Sequence, residues 1–197
     1  MIIKSKSKQT TISKKVSLNG VGLHTGLDVE INFIPAEINN GYSFRRIDLE
    51  GMPILKADAN LVTNTQRGTC LEKNGVTIQT CEHVLAALVG LEIDNVIIEL
   101  STSEPPIMDG SSKYFIEALE SAGTEEQDAF REIFVVKDVI SYTDEQTGSE
   151  ITIIPSDEYQ ITTMVDFGTK VLGTQNATLQ HLSNFKEEIS DSRTFSF

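Results

Sequence analysis

The chain has 197 residues and a net charge of −13, from 16 basic and 29 acidic side chains. Hydrophobic residues make up 39% and charged residues 23%, which is typical of globular proteins and excludes a disordered or fibrous chain. The acidic balance excludes a general binder of phosphate backbones, so we expect no nucleic-acid partner.

The N-terminal segment is predicted to be a strand. Residues 4–15 carry five lysines and no acid, which indicates either a patch for an anionic ligand or a strand whose charges face water. The second interpretation is favoured, because charge runs are usually solvated. The segment lacks the apolar stretch of a secretory signal, and no apolar run in the chain reaches the roughly 18 residues of a membrane span. The two cysteines, Cys70 and Cys81, are too few for a disulfide framework. We therefore expect a cytoplasmic protein with no transmembrane segment.

Two stretches, residues 12–48 and 133–167, share one pattern. In each, a Thr-Gly turn precedes apolar residues at every second position and then a proline, and the copies are about 120 residues apart. We interpret them as two copies of a β-rich unit. Between them, residues 80–91 and 111–122 have the apolar spacing of helices. The second of these helices is predicted to bury Tyr114 with its apolar neighbours and to end at a glycine.

These elements predict an α+β fold. Two similar layers, each a β-sheet with a helix pair, form a two-layer sandwich in which the second copy is incomplete. The first α+β domain spans residues 1–125, and the polar residues 123–128 are predicted to be a linker. Residues 130–197 form the first part of a second, similar domain, with a short helix over residues 183–190. We expect this domain to be truncated, because the chain stops on an apolar segment.

The best candidates for chemistry are Glu82 and His83, at the start of the first predicted helix. The helix dipole favours an ionised carboxylate there, and an imidazole can bind a metal. Adjacent helical residues point about 100° apart, so the pair would flank one reacting centre from two sides. Spacing alone favours a structural pair, and the paired-histidine zinc motif is absent. His24 lies in a glycine-rich turn that can reach a site, and the acids of residues 104–110 are interpreted as turn and cap residues.

Six segments, in order, resemble the UDP-3-O-acyl-N-acetylglucosamine deacetylases of lipid A biosynthesis. They are GVGLHTG (20–26), FRRID (44–48), TCEHVLAAL (80–88), GLEIDN (90–95), PIMDGS (106–111) and SRTF (192–195). The resemblance covers essentially the whole chain but only the N-terminal part of the family's longer chain. Residues 171–175 are similar to the subgroup fused to a hydroxyacyl dehydratase domain.

The resemblance implies a zinc-dependent amidohydrolase. It would remove the N-acetyl group from UDP-3-O-(3-hydroxyacyl)-N-acetylglucosamine, the committed step toward lipid A in Gram-negative bacteria. The implied cofactor is Zn²⁺, and the implied partner is an acylated UDP-sugar. The resemblance assigns Glu82 as the general base and His83 as the first zinc ligand. The further roles it implies are an oxyanion-holding hydroxyl from Thr194 and substrate contacts from Phe195, Phe167 and His24.

The chain also departs from the family pattern. In the family, a His and an Asp that complete the zinc site follow the Arg-Thr-Phe segment, and a further His acts later as general acid. None of these is present here, so we expect residues 1–197 to bind zinc poorly and to be inactive alone. Ser196 replaces the usual glycine, and Gly168 and Thr169 replace the usual His-Pro.

Two other classes of function stay open. One is a non-catalytic module that binds a sugar nucleotide or an acyl ligand on the same scaffold. The other is a structural domain in which Glu82 and His83 are incidental. The enzyme hypothesis predicts that both side chains are exposed in a groove facing the second domain, and the structural hypothesis predicts that they are buried. A truncated second domain would expose apolar surface, which favours self-association.

Overall fold

The computed structural model describes residues 1–193, apart from the side chain of Lys4. The strands of this range, in chain order, are β1 (Ile2–Ile12), β2 (Val16–Val21), β3 (Asp28–Pro35), β4 (Tyr42–Arg46), β5 (Ile54–Lys56), β6 (Val62–Asn64), β7 (Cys70–Lys73), β8 (Val76–Ile78), β9 (Val96–Leu100), β10 (Thr124–Phe134), β11 (Ile140–Thr143), β12 (Glu150–Ile153), β13 (Ile161–Asp166) and β14 (Thr174–Leu179). The α-helices are α1 (Glu82–Gly90), α2 (Lys113–Ala122) and α3 (Phe185–Glu188). Sheets and helices are mixed, which confirms the α+β class.

The largest sheet has five strands in the order β2-β3-β9-β4-β5. β4 runs parallel to β9, and the other neighbours are antiparallel. The predicted alternation in β3 is confirmed, because Val29, Ile31 and Phe33 are buried. Phe33 meets Phe115 of α2 edge to face, with 6.4 Å between ring centroids. The core therefore lies between this sheet and the helices.

Both central helices lie close to their predicted positions. α1 buries Val84, Ala87 and Leu88. α2 ends at Gly123, whose φ of 69° suits glycine, as predicted. The predicted inward position of Tyr114 was wrong: its side chain is 40% exposed, and the neighbouring Ile116 is buried instead. No helix within residues 1–193 is long and apolar enough to cross a membrane.

The predicted linker over residues 123–128 was wrong, because these residues begin strand β10. β10 pairs with the lysine-rich β1 along its length, with two irregularities in the register. Lys8 of β1 lies 3.4 Å from the carboxylates of both Glu126 and Asp128. The acidic composition that resembles a linker therefore supplies the charges that face Lys8 of β1. The division into domains at residues 125 and 130 stays a prediction.

The region after β10 consists of two hairpins and a short helix. The hairpins are β11–β12 and β13–β14, and both contain strands predicted from the repeated pattern. Phe185 of α3 is buried as predicted, and its ring lies against Gly90 at the end of α1. That this region is an incomplete second copy stays a prediction.

Candidate functional site

Glu82 and His83 are the first two residues of α1, and the turn before them has an unusual backbone. Cys81 is fully buried, and Thr80 has a φ of 50°. A β-branched residue in the left-handed region is strained, so its surroundings must hold it there. No side chain caps the helix. The position of Glu82 and His83 therefore depends on how the preceding turn is packed.

Glu82 is half-buried and is held by the loop that precedes β7. The backbone N–H of Thr69 donates a hydrogen bond to Oε2 of Glu82 at 3.0 Å. Gly68 lies against the same carboxylate, because a Cβ there would be 3.3 Å from Oε1. Among residues 1–193, no donor bonds to Oε1. One oxygen of the carboxylate is therefore fixed, and the other is available to accept a proton.

His83 is half-buried beside Glu82. Its backbone carbonyl oxygen accepts a hydrogen bond from Ser112 Oγ at 3.1 Å, which ties the start of α1 to the start of α2. Its imidazole has no hydrogen bond or ion pair with any residue in the described part of the chain. An imidazole in this state can bind a metal or transfer a proton. The two adjacent side chains thus combine a proton acceptor with a potential metal ligand.

Glu104 is fully buried close to this turn and accepts hydrogen bonds from three residues. The backbone N–H of His24 lies 3.1 Å from each carboxylate oxygen, and that of Thr25 lies 2.9 Å from Oε2. The hydroxyl of Thr80 donates to Oε1 at 3.0 Å. Burial alone raises the pKa of Glu104, but these hydrogen bonds outweigh burial and hold the pKa below its ordinary value. Glu104 is therefore ionised at neutral pH.

His24 is exposed, and its turn connects Glu104 to the loop that holds Glu82. The Nε2 atom of its ring lies 3.0 Å from the carbonyl oxygen of Arg67. Arg67 is two residues before Thr69, whose N–H binds Glu82. The structure thus places the ring of His24 against the loop whose Thr69 N–H bonds to Glu82.

Of the other predicted site residues, one lies in a hairpin and two lie outside the described range. Phe167 follows β13, and its backbone N–H donates to the carbonyl oxygen of Gly173 at 3.1 Å. That hydrogen bond belongs to its own hairpin and not to the contacts around Glu82. Thr194 and Phe195 lie outside the described residues.

The segment that leads to Thr194 runs beside the start of α2. The backbone N–H of Ser112 donates to the carbonyl oxygen of Ser190 at 3.1 Å. Arg193 Nη2 is 3.3 Å from Oδ2 of Asp109. Ser112 Oγ also bonds to the carbonyl oxygen of His83, so Ser112 joins Ser190 to the start of α1.

Neither of the two principal cavities is lined by Glu82 or His83. The first, of about 510 Å³, lies at the ends of β2 and β3. The second is an apolar groove of about 440 Å³ between the outer face of α1, the β13–β14 hairpin and α3. Leu85 and Ala86 of α1 line this groove, so it lies alongside the helix that carries the candidate pair.

Sequence reasoning missed Glu104, Thr69 and Thr80 as parts of this site. Glu104 was interpreted as a turn or cap residue, which was wrong, since its carboxylate is buried and joins three segments. A Ser-Glu-Pro-Pro stretch carries no signal of burial. Two prolines directly after a single acid restrict the backbone, and this could have indicated that the carboxylate is held rigidly.

The fold and the site define a class: an α+β protein that presents a carboxylate and an imidazole together at a helix N-terminus. A sequence profile for UDP-3-O-acyl N-acetylglycosamine deacetylases matches residues 9–197. The chain therefore belongs to this family, as the six motifs predicted.

Individual relatives agree with this assignment. The chain is 46% identical over 190 residues to a protein of Bacteroides thetaiotaomicron named bifunctional enzyme LpxC/FabZ, and 43% identical over 190 residues to one of the same name from Chlorobaculum tepidum. It is 40% identical over 194 residues to the UDP-3-O-acyl-N-acetylglucosamine deacetylase of Idiomarina loihiensis. Each match covers 96% of this chain, but only 41% of the two bifunctional relatives and 63% of the third.

Proposed function

We propose that this chain forms part of a zinc-dependent deacetylase that removes the N-acetyl group from UDP-3-O-(3-hydroxyacyl)-N-acetylglucosamine. The observation that carries the proposal is the start of α1. There, Oε1 of Glu82 and the adjacent imidazole of His83 have no partner among residues 1–193. Membership of the deacetylase family, and a relative that bears the deacetylase name, support the choice of reaction.

Glu82 is suited to act as the general base. Hydrolysis of an amide requires a group that takes a proton from the attacking water. The Thr69 N–H fixes Oε2 of Glu82 and leaves Oε1 as the acceptor.

The described residues do not form a zinc site by themselves. A catalytic zinc takes three protein ligands, and residues 1–193 contain no group of three His, Cys, Asp or Glu side chains that could hold a metal. His83 supplies one imidazole. We infer that the His and Asp implied by the family resemblance complete the site in the intact protein, where zinc acts as a Lewis acid on the amide carbonyl.

Further contacts to the acylated UDP-sugar are assigned by the same proposal. Thr194 helps to hold the oxyanion, and Phe195, Phe167 and His24 contact the substrate. Two observations support this: the His24 turn is bonded to the loop that holds Glu82, and Ser112 bonds to the carbonyl oxygens of both Ser190 and His83. A nucleotide-sugar substrate also supports a cytoplasmic location.

Acetate release from the acylated UDP-sugar tests the proposal in the zinc-loaded, full-length protein. Glu82→Gln removes the base and keeps the shape, so kcat should fall about 10²- to 10⁴-fold. His83→Ala should lower the bound zinc, measured by mass spectrometry, well below about one per chain. Residues 1–197 alone should bind zinc poorly and release no acetate.

Glu117→Gln, on the exposed face of α2, is the matched control and should change neither activity nor zinc content. Unchanged turnover in Glu82→Gln would refute Glu82 as the base. A full-length protein without zinc or activity would instead favour a non-catalytic binding module on the same scaffold.

A further inference from the structure

The buried carboxylate of Glu104 is linked to Glu82 by two separate routes. One runs through Thr80, whose hydroxyl donates to Oε1 of Glu104 and which precedes Glu82 by two residues. The other runs through the backbone of His24, which donates to both oxygens of Glu104. The ring of His24 then bonds to the carbonyl of Arg67, in the loop that continues to Thr69 and its bond to Glu82. Both routes end at Glu82, the first at its backbone and the second at its carboxylate.

A carboxylate suits the donors that meet at this point, because both of its oxygens accept. Oε1 of Glu104 accepts from His24 N and Thr80 Oγ1, and Oε2 accepts from His24 N and Thr25 N. A glutamine amide has one oxygen and one NH₂ group and carries no charge. In one orientation its NH₂ would face the Thr25 N–H, and in the other the Thr80 hydroxyl would have to turn and accept a hydrogen bond that it now donates. Glu104→Gln therefore keeps the volume of the side chain and removes the negative charge that accepts these hydrogen bonds.

The backbone of Thr80 is strained, and its hydrogen bond to Glu104 helps to hold the turn in this conformation. Its φ of 50° is costly for a β-branched residue, and its side chain is buried against Glu104. Without the hydrogen bond from its hydroxyl, Thr80 loses a contact that favours this conformation. Relaxation of Thr80 would rotate the first turn of α1 and with it Glu82.

We propose that Glu104 is a positioning residue of the deacetylase: it fixes the direction of the Glu82 carboxylate through Thr80 and through the His24–Arg67 contact, without touching the substrate. This inference rests on the proposed function, in which Glu82 is the base. A misplacement of about 1 Å in a reacting group can lower a rate by up to about 10²-fold, so Glu104 contributes mainly to turnover.

Steady-state kinetics of acetate release in the zinc-loaded, full-length protein separate positioning from stability. Glu104→Gln should lower kcat about tenfold to a hundredfold and change KM less than about twofold. Thr80→Val, which removes the hydroxyl, should have a similar effect, and Thr80→Ser, which keeps it, should restore most of kcat. The double variant Glu104→Gln/Thr80→Val should lose less than the product of the two single losses, because both act through one contact.

The matched control is Asp94→Asn, at the other end of α1. Asp94 holds Thr10 and Arg131 and has no contact with the Glu82 turn, so its loss should lower the melting temperature and leave kcat unchanged. An independent signature is the amide proton of Thr69 in ¹⁵N-threonine spectra, since this N–H bonds to Glu82. Its chemical shift should move in Glu104→Gln and stay in place in Asp94→Asn.

The outcomes distinguish this inference from the proposed function. If Glu82→Gln abolishes turnover while Glu104→Gln leaves kcat and the Thr69 shift unchanged, the positioning role is refuted and the deacetylase proposal stands. If Glu104→Gln and Asp94→Asn lower kcat equally in proportion to stability, Glu104 is structural only. If Glu82→Gln keeps full activity, both proposals fail.

Discussion

Two carboxylates near the start of α1, those of Glu104 and Glu82, differ in burial and in the number of hydrogen bonds that they accept. Glu104 is fully buried, and donors from three residues occupy both of its oxygens, so it is a fixed anion. Glu82 is half-buried, with one N–H on one oxygen. Neighbouring acids whose environments differ in this way can take different roles. Glu104 is suited to hold structure, and Glu82 is suited to exchange a proton.

The fixed charge of Glu104 predicts a pH-dependent contribution to stability. Its hydrogen bonds hold the pKa below the ordinary value of 4.5, so the stabilisation is present above that pH and is lost as the pH falls through the folded-state pKa. We expect Glu104→Gln to lower the free energy of unfolding by about 2 kcal/mol at pH 7.

Urea denaturation at pH 7 and at successively lower pH tests this. The difference between the native protein and Glu104→Gln should shrink below pH 4.5. The exposed variant Glu117→Gln should show no comparable trend. A difference that is the same at every pH would mean that packing, and not the charge, accounts for the effect.

The two cysteines should differ in reactivity. Cys81 is fully buried, and burial together with the nearby carboxylate of Glu82 raises its pKa to about 12. Cys70 is partly exposed. Because the thiolate is the reactive form, iodoacetamide at pH 8 should alkylate Cys70 and leave Cys81 unmodified.

Peptide mass spectrometry locates the label, and the variant Cys70→Ser should take up none in the folded state. Both variant and native protein should label Cys81 fully in denaturant. Rapid labelling of Cys81 in the folded protein would contradict its burial.

At the scale of the elements, α1 is fixed at both ends by contacts from distant segments. Its N-terminal turn is held by Glu104, and its last residue, Gly90, lies under the ring of Phe185 from α3. The helix has only nine residues, so its position depends on these contacts more than on its own propensity.

Gly90→Ala should therefore destabilise the protein, although alanine normally stabilises a helix by about 0.5–1 kcal/mol relative to glycine. A Cβ at this position would clash with the ring of Phe185, so either the ring or α3 must move. We expect a loss of about 1–3 kcal/mol, the usual cost of overpacking.

A double-mutant cycle with Phe185→Ala isolates the clash. In that background the ring is absent, so Gly90→Ala should become neutral or stabilising in denaturant unfolding. If Gly90→Ala destabilises equally in both backgrounds, the Phe185 ring is not the cause.

Elements with strong periodicity could be predicted from sequence, whereas the contacts between distant segments could not. The alternation in β3 and the apolar stripe of α1 placed both elements well, since burial on one face leaves a regular trace in sequence. The linker prediction at residues 123–128 failed because an exposed strand with paired charges has the composition of a linker.

The candidate site was predictable only in part, because some of its residues act through contacts between distant segments. Glu82 and His83 carry a motif that a family resemblance can identify. Glu104 lies 22 residues further along the chain and acts through hydrogen bonds that depend on the folded backbone. The positive φ of Thr80 leaves no trace in its identity, because threonine normally avoids that conformation.

At the scale of the whole molecule, the hairpin β11–β12 has one polar face and one exposed apolar face. Ile140 pairs with Ile153 and Tyr142 pairs with Ile151, and these four side chains are 46–66% exposed. On the other face, Ser141 bonds to Thr152 at 3.0 Å. An uncovered apolar face of this kind favours association between copies.

The 197-residue chain should therefore associate with increasing concentration, and salt should strengthen the association. The net charge of −13 opposes contact between copies, and raising NaCl from about 50 mM to about 500 mM screens that repulsion. Sedimentation velocity should show a larger apparent mass at high salt.

Ile151→Thr and Tyr142→Thr each replace an apolar side chain of the exposed face with threonine, which is suited to a strand. Both variants should therefore reduce association. Thr152→Ser, on the polar face, should not. Association that salt weakens would indicate attraction between charges, such as the lysines of β1 and the acids of another copy, in place of the hairpin face.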